Sequence, residues 1–420
     1  MFMLLKVALR SLLNRKATAI LTVLSIMVSG FVIFGVEHIR QEAKSSFSRT
    51  VSGTDLIVGA RTGQLNLLLY SVFRIGNATN NISWQSYQDL AARSDVAWTI
   101  PLSLGDSHRG YRVLGTSQDY YEHFRFGRQQ ALELAEGSSE MGVFGAVLGA
   151  EVANKLSYEV GDPIVLSHGT GKVSFSNHTD KPFEVIGILQ PTGTPVDQTV
   201  HVSLDGIEAI HIDWQNGVKM PGPGISAEQV VERDLTPEAI TAFMVGLKSK
   251  IATFRFQREV NEYRQEPLLA ILPGVALSEL WQMMGALENI LMVISGLVLV
   301  ASLLGMSTML LASMRERQRE LAVIRAVGAH PSFVFLLIEL EALMLTAAGI
   351  AGAIAALWLT LISAQDLFSE RYGLFIDLDF MSARVLIIIG IMFAATAVLA
   401  LIPGLSAYRA SLNQGLVVKT

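Results

Sequence analysis

Four long uncharged or nearly uncharged runs divide the chain. Positions 17–36 carry twenty residues without a charge, while 289–311, 333–361 and 385–405 are similarly apolar, broken only by Glu339 and Glu341. At a helical rise of 1.5 Å per residue, each run is long enough to cross a hydrocarbon core about 30 Å thick. The first run is too long for the apolar region of a signal peptide and lacks a small-residue cleavage site, so it is expected to persist as a span. Ahead of it, Lys6, Arg10 and Asn14 recur every fourth position, flanked by Ser11 and Arg15. Leu5, Ala8, Leu9, Leu12 and Leu13 take the opposite side, so 1–16 reads as an amphipathic helix on the membrane surface. Lys6, Arg10, Arg15 and Lys16 are its basic contacts to lipid headgroups.

The pattern between the first two runs is different. The segment 37–288 alternates short pieces rich in β-branched and aromatic residues with short helical ones. Strands are expected at 55–58, 111–114, 164–166, 183–189 and 199–202, each bounded by Gly, Pro, Asp or Ser. Helices are expected at 84–93, 149–156 and 237–263, the last with Thr236 as N-cap. The stretches 37–49 and 277–288 look helical and continue the adjoining spans as stalks. Two Pro and two Gly within 220–224 mark a loop. The predicted class is therefore an α-helical membrane protein with four transmembrane helices and an α+β domain inserted between helices 1 and 2.

Charge orients this arrangement. The basic residues before the first span place the N-terminus in the cytoplasm, and Arg315, Arg317, Arg319 and Arg325 place the 312–332 connection there too. The 362–384 loop is richer in acidic residues and falls outside with 37–288, and the 406–420 tail returns inside. Composition narrows the class further. A hydrophobic fraction of 51% and a positive mean hydropathy of +0.42 suit a membrane protein with a large soluble part. A net charge of −5 offers nothing for a nucleic-acid partner. The absence of cysteine removes disulfides, thiolate metal sites and cysteine nucleophiles.

The connection at 312–332 has more content than a turn between spans requires. Arg315, Glu316, Arg317, Arg319 and Glu320 crowd its first half. Leu321, Ile324 and Val327 then recur every third position, Gly328 supplies a stop, and Pro331 suits the first turn of the next helix. Glu339 and Glu341 follow within the third span, where carboxylates are costly and face protein or the interface. They are candidates for coupling the spans to this connection, or for pairing with its arginines. Ala348-x-x-x-Gly352 and Gly390-x-x-x-Ala394 fit close helix packing.

Catalytic motifs are missing. Gly169-Thr170-Gly171-Lys172 resembles a phosphate loop, but Val173 stands where Ser or Thr is needed and Leu166 where the first Gly belongs. Neither a Gly-x-Ser-x-Gly elbow nor a His-Glu-x-x-His helix occurs. Seven of the eight histidines, His38, His108, His123, His168, His178, His201 and His211, fall in the outside segment, with His330 inside. No pair has metal-ligand spacing, so no metal site is expected and a zinc-linked role carries little weight.

The run from Arg315 to Ala329, with Arg-Glu-Arg-Gln-Arg-Glu followed by Val-Ile-Arg-Ala-Val-Gly-Ala, closely resembles the signature loop of FtsX-like permeases, and Glu341 matches a glutamate carried shortly after it. Ala8–Lys16, the stretch from Val147 to Leu156, Val160-Gly-Asp-Pro-Ile and Phe183–Leu189 are similar to MacB-type permeases. The resemblance implies a type VII half-transporter in the bacterial cytoplasmic membrane. Such a chain would pair with a second copy, as a homodimer, and bind a dimeric cytoplasmic ATPase that supplies ATP and Mg, with no cofactor in this chain. It implies that Arg315, Glu316, Arg317, Arg319, Glu320, Ile324, Arg325, Ala326 and Gly328 form the ATPase-coupling helix. A periplasmic adaptor or client protein would complete the assembly. The stretch 53–81 opens as in family members but continues in a way that points to none of their clients, which leaves the substrate open. The rival reading is a membrane-anchored receptor or scaffold working without an ATPase.

Overall fold

The structure, a computed structural model, describes residues 2–50, 52–169, 178–215, 218–219, 225–316, 330–372 and 380–413. It contains four helices long and apolar enough to cross a membrane, and a sheet-rich α+β domain between the first and second of them. The chain divides into two compact units, one made chiefly of the long helices and the other of the inserted segment 43–283.

A short helix, Phe2–Asn14, precedes the first long helix, Lys16–Thr50. On it Leu5, Leu9 and Leu13 form an exposed apolar stripe while Ala8 and Ser11 are buried, the division expected of a helix lying in a membrane interface. The other long helices are Pro273–Glu316, Pro331–Tyr372 and Ala383–Asn413. Pro331 opens the third, where its missing N–H costs no hydrogen bond. Two connections are more helical than the pattern suggested. The third helix continues past 361 to Tyr372, and the fourth passes through Pro403 to Asn413.

Small residues decide how the spans pack. A Cβ on Gly349 would stand 2.6 Å from Ile26 Cγ2, and one on Gly352 would stand 2.9 Å from Met27 Sδ. Gly30 answers from the first helix, where a Cβ would meet Ala353 at 3.0 Å. The first and third helices therefore approach closely through Gly349 and Gly352, whereas Ala348 is exposed and Gly390 has nothing within 4 Å. Hydroxyls add cross-links, Thr346 with Thr396 at 2.9 Å and Ser29 with Ser302 at 3.2 Å.

In the inserted domain, an eleven-stranded mixed sheet is organised by one long strand, Val96–His108. Its first half pairs antiparallel with Ala242–Leu247, which continues to Leu56–Ala60 and then Leu268–Ile271. Its second half pairs with Tyr111–Thr116 and with Ser167–His168. Beyond Tyr111–Thr116 lie Thr199–Ser203, Gly145–Leu148, Phe183–Leu189 and Leu134–Gly137. Separate apolar clusters pack on the two halves, one around Val58, Phe243 and Phe256 and another around Val113, Val152, Phe183 and Val202. Phe183–Leu189 alternates buried and less buried positions, as its sequence suggests.

The expected helix at 237–263 is corrected. Ala239–Ile240 and Ala242–Leu247 are strands, and helix begins only at Thr253. Every residue of Ala242–Leu247 is buried between two neighbouring strands, so its apolar run has no solvent-facing period to separate strand from buried helix. Gly246 lets the indole of Trp98 lie against the backbone, for a Cβ would stand 2.1 Å from that ring. Thr236 bonds Asp234 rather than capping a helix. The 220–224 stretch lies outside the described residues.

Candidate functional site

Three places hold polar groups that the packing alone does not call for. The first lies within the long helices. Glu341 is 3% exposed, and Glu339 Oε1 is buried without a hydrogen-bond partner among the described residues, 3.6 Å from where a Cβ on Gly404 would stand. Both expected carboxylates thus face protein. Of the coupling residues, Arg315 and Glu316 end the second long helix, while Arg317, Arg319, Glu320, Ile324, Arg325, Ala326 and Gly328 lie outside the described residues.

The second is a charge network just past the first expected span. Arg40 Nε and a terminal guanidinium nitrogen donate to the buried Glu37 carboxylate at 3.0 and 2.8 Å. Arg384, at the start of the fourth helix, lies 3.7 Å from Glu37, and Glu288 of the second helix lies 3.9 Å from Arg40. Three of the four long helices are thereby tied together, within the first and second and at the start of the fourth, and nothing in the periodicity announced it.

The third lies in the inserted domain and corrects the expectation of scattered histidines. Asp106, His168, His178 and His211 each offer a ligand atom, and these atoms lie within 4.8 Å of one another. Sheet register places the first two, because His168 is the cross-strand partner of Asp106. A β-bulge between Leu104 and Ser107 adds one residue to the long strand there and turns Asp106 toward the cluster. Ser203 caps the helix Leu204–His211 by accepting from Gly206 N at 3.0 Å, and His211 is that helix's last residue. His178 is held where its backbone N–H donates to Leu166 O at 2.9 Å. The buried Lys181–Asp213 ion pair, at 2.9 Å, joins the two chain segments carrying His178 and His211.

Asp106 Oδ1 lies 3.1 Å from His168 Nδ1 and 3.6 Å from His211 Nε2. The His168 and His211 rings stack at 4.7 Å, and Trp214 packs on His168 and His178 at 5.0 and 4.7 Å. His178 is fully buried, and neither ring nitrogen has a hydrogen-bond partner among the described residues. Burial, then the nearby His211 and His168, push its pKa down to about 4, so it is a neutral imidazole at pH 7. Burial works to raise Asp106, but the hydrogen bonds and charges of His168 and His211 prevail and hold it below the usual carboxylate range.

The remaining histidines are engaged apart from this cluster. His38 packs edge-on against Phe380, and His123 stacks on Trp98. His108 bonds Val165 O and Tyr158, His201 bonds Val147 O, and His330 accepts from Ser332 N at the third helix's start. The 53–81 stretch supplies Leu67, Leu68 and Tyr70 to the core. It also forms one wall of a cavity of about 270 Å³ whose lining includes Arg74 and Arg112.

Comparison with known proteins follows this division of the chain. Residues 19–263 match the family model of the MacB-like periplasmic core domain, and 292–412 match that of the FtsX-like permease C-terminal region. Among solved structures, the periplasmic region of MacB from Actinobacillus actinomycetemcomitans is 10% identical, covering 55% of this chain and 94% of that one, with a TM-score of 0.35. The extracellular domain of the noncanonic ABC-type transporter YknZ from Gram-positive bacteria is 11% identical, covering 52% and 99%, with a TM-score of 0.31. No curated protein sequence matches the chain.

Proposed function

The chain belongs to the MacB/FtsX-like family of ABC transporter permeases, and from that premise we propose that it is the half-transporter of a mechanotransmission complex. Two copies pair in the bacterial inner membrane with N- and C-termini in the cytoplasm. A separate ATPase dimer binds the 312–332 connection, and its closure on ATP moves the spans and the inserted periplasmic domains. The work is export, extraction or regulation of a periplasmic client.

The observation that carries this reading is the pair of helices through which the chain enters and leaves the inserted domain. Lys16–Thr50 has 35 residues and Pro273–Glu316 has 44. At 1.5 Å per residue these are about 52 and 66 Å long, well beyond the roughly 30 Å that a span requires. A helix longer than the bilayer continues past its span, and in this reading it passes on the displacement. The Glu37–Arg40–Arg384 network supports this, since it ties the first helix to the fourth.

In this scheme Arg315, Glu316, Arg317, Arg319, Glu320, Ile324, Arg325, Ala326 and Gly328 seat in the ATPase, with Glu339 and Glu341 relaying the motion into the spans. Lys6, Arg10, Arg15 and Lys16 anchor the N-terminal helix to headgroups. The test is reconstitution of the chain in nanodiscs with the ATPase encoded beside it. Arg317→Ala, Glu320→Ala and Arg325→Ala should abolish ATPase binding or its stimulation while leaving the chain folded. Undiminished coupling in all three, or no association of the unaltered chain with that ATPase, would overturn the proposal.

A further inference from the structure

We propose that Asp106, His168, His178 and His211 form a zinc(II) site that fastens together four separate segments of the inserted domain. The geometry supplies the first argument. Zinc bonds to nitrogen and oxygen of about 2.0–2.1 Å, arranged tetrahedrally, put neighbouring ligand atoms about 3.3 Å apart. The Asp106–His168 and Asp106–His211 separations of 3.1 and 3.6 Å bracket that edge. His178 completes the set, its ring 4.6 Å from that of His168 and 5.2 Å from that of His211.

The second argument is the state of His178 among the described residues. An imidazole with no exposure and two nitrogens lacking partners among the described residues forfeits its hydrogen bonds with water and gains none in return. A metal bond satisfies the nitrogen that makes it. The bulge at Asp106 and the Lys181–Asp213 pair hold ligand-bearing segments in place, as supporting residues do around metal centres.

Donor chemistry selects the ion. Three imidazoles and one carboxylate suit zinc, whereas calcium and magnesium require six or more oxygens. Four protein ligands also leave no open coordination position, which assigns the ion a structural rather than a hydrolytic role. The other acidic and histidine group, Asp119, Glu122 and His123, is more exposed and sits on a five-residue helix, and it serves as a control.

The experiment uses the full-length chain in detergent, stripped with a chelator and titrated with zinc chloride by calorimetry alongside elemental analysis. One zinc per chain is expected, retained in excess magnesium and calcium. Cobalt(II) in its place should give the intense visible bands of a tetrahedral centre. Asp106→Asn preserves side-chain shape and His211→Gln replaces the imidazole by a neutral amide, and each should weaken zinc binding at least about 100-fold. His123→Ala should leave the stoichiometry unchanged. Absence of stoichiometric zinc, unaltered affinity in both ligand variants, or loss of the ion in His123→Ala would overturn the proposal. Should the ligand variants fail to fold, the cobalt spectrum of the unaltered chain decides, and octahedral or absent bands refute the site. None of these readouts involves the ATPase, so their failure leaves the transporter reading intact.

Discussion

The contact between the first and third long helices can be tested by adding single methyl groups. In Gly349→Ala the new Cβ would stand 2.6 Å from Ile26 Cγ2, 2.7 Å from Ile26 Cβ and 3.3 Å from Val23 O. Ile26 is fully buried, and its Cβ is fixed to the backbone, so that atom cannot swing aside whatever the rotamer. Overpacking of this kind costs about 1–3 kcal/mol. Replacing a helical glycine by alanine returns about 0.5–1 kcal/mol of backbone entropy, which obscures the packing cost in a single variant. Gly390→Ala removes that ambiguity, because Gly390 is also helical and has nothing within 4 Å. The difference between the two variants therefore isolates packing, with Gly349→Ala less stable by about 1–3 kcal/mol. Gly352→Ala should fall between them, since its nearest neighbour is the flexible thioether of Met27 at 2.9 Å. Unfolding of the full chain in mixed micelles supplies the measurement. Equal stability of Gly349→Ala and Gly390→Ala, within about 0.5 kcal/mol, would refute the packing argument.

Other consequences concern the inserted domain. Lys181→Met strands the buried Asp213 carboxylate and should cost about 3–5 kcal/mol. For a domain of this size that lowers its melting transition by roughly 6–20 °C, followed by hydrogen exchange or calorimetry. Burial, then the positive Arg74, push the pKa of His201 down to about 3, below its unfolded value. Its contribution is therefore fully present above about pH 6.5 and is lost as pH falls toward 3. At pH 5 the loss is about 2 kcal/mol relative to pH 7, and His201→Phe should flatten denaturation midpoints across that interval. Chelation of zinc should raise amide exchange in Asp106–His108 and Leu204–His211, and restoring it at 100-fold over its dissociation constant should return about 2.7 kcal/mol. Equal exchange with and without the metal would argue against a structural ion.

How much of this is legible in the sequence depends on the distance over which each feature is encoded. The Phe183–Leu189 strand carries its own period-two alternation and is readable residue by residue. Ala242–Leu247 is not, since a short apolar run buried on all sides looks alike as strand or helix until its neighbours are known. Gly349 rather than Ala348 faces the first helix, because small-residue spacing marks a capacity for close approach without specifying the face. The Glu37 network escapes a reading of the sequence because its members come from three helices distant along the chain.

The sequence by itself determined the four spans, the domain inserted after the first of them and the family, because apolar length and a contiguous motif are local properties that survive without any fold. Only the tertiary structure decided where chemistry gathers. Positions 106, 168, 178 and 211 share no spacing that a helix or strand would recognise. They meet because antiparallel register sets His168 opposite Asp106, a one-residue bulge aims the carboxylate, and a capped helix ends on His211. Register and bulges are settled by pairing between distant strands, so the cluster exists only once the sheet has closed.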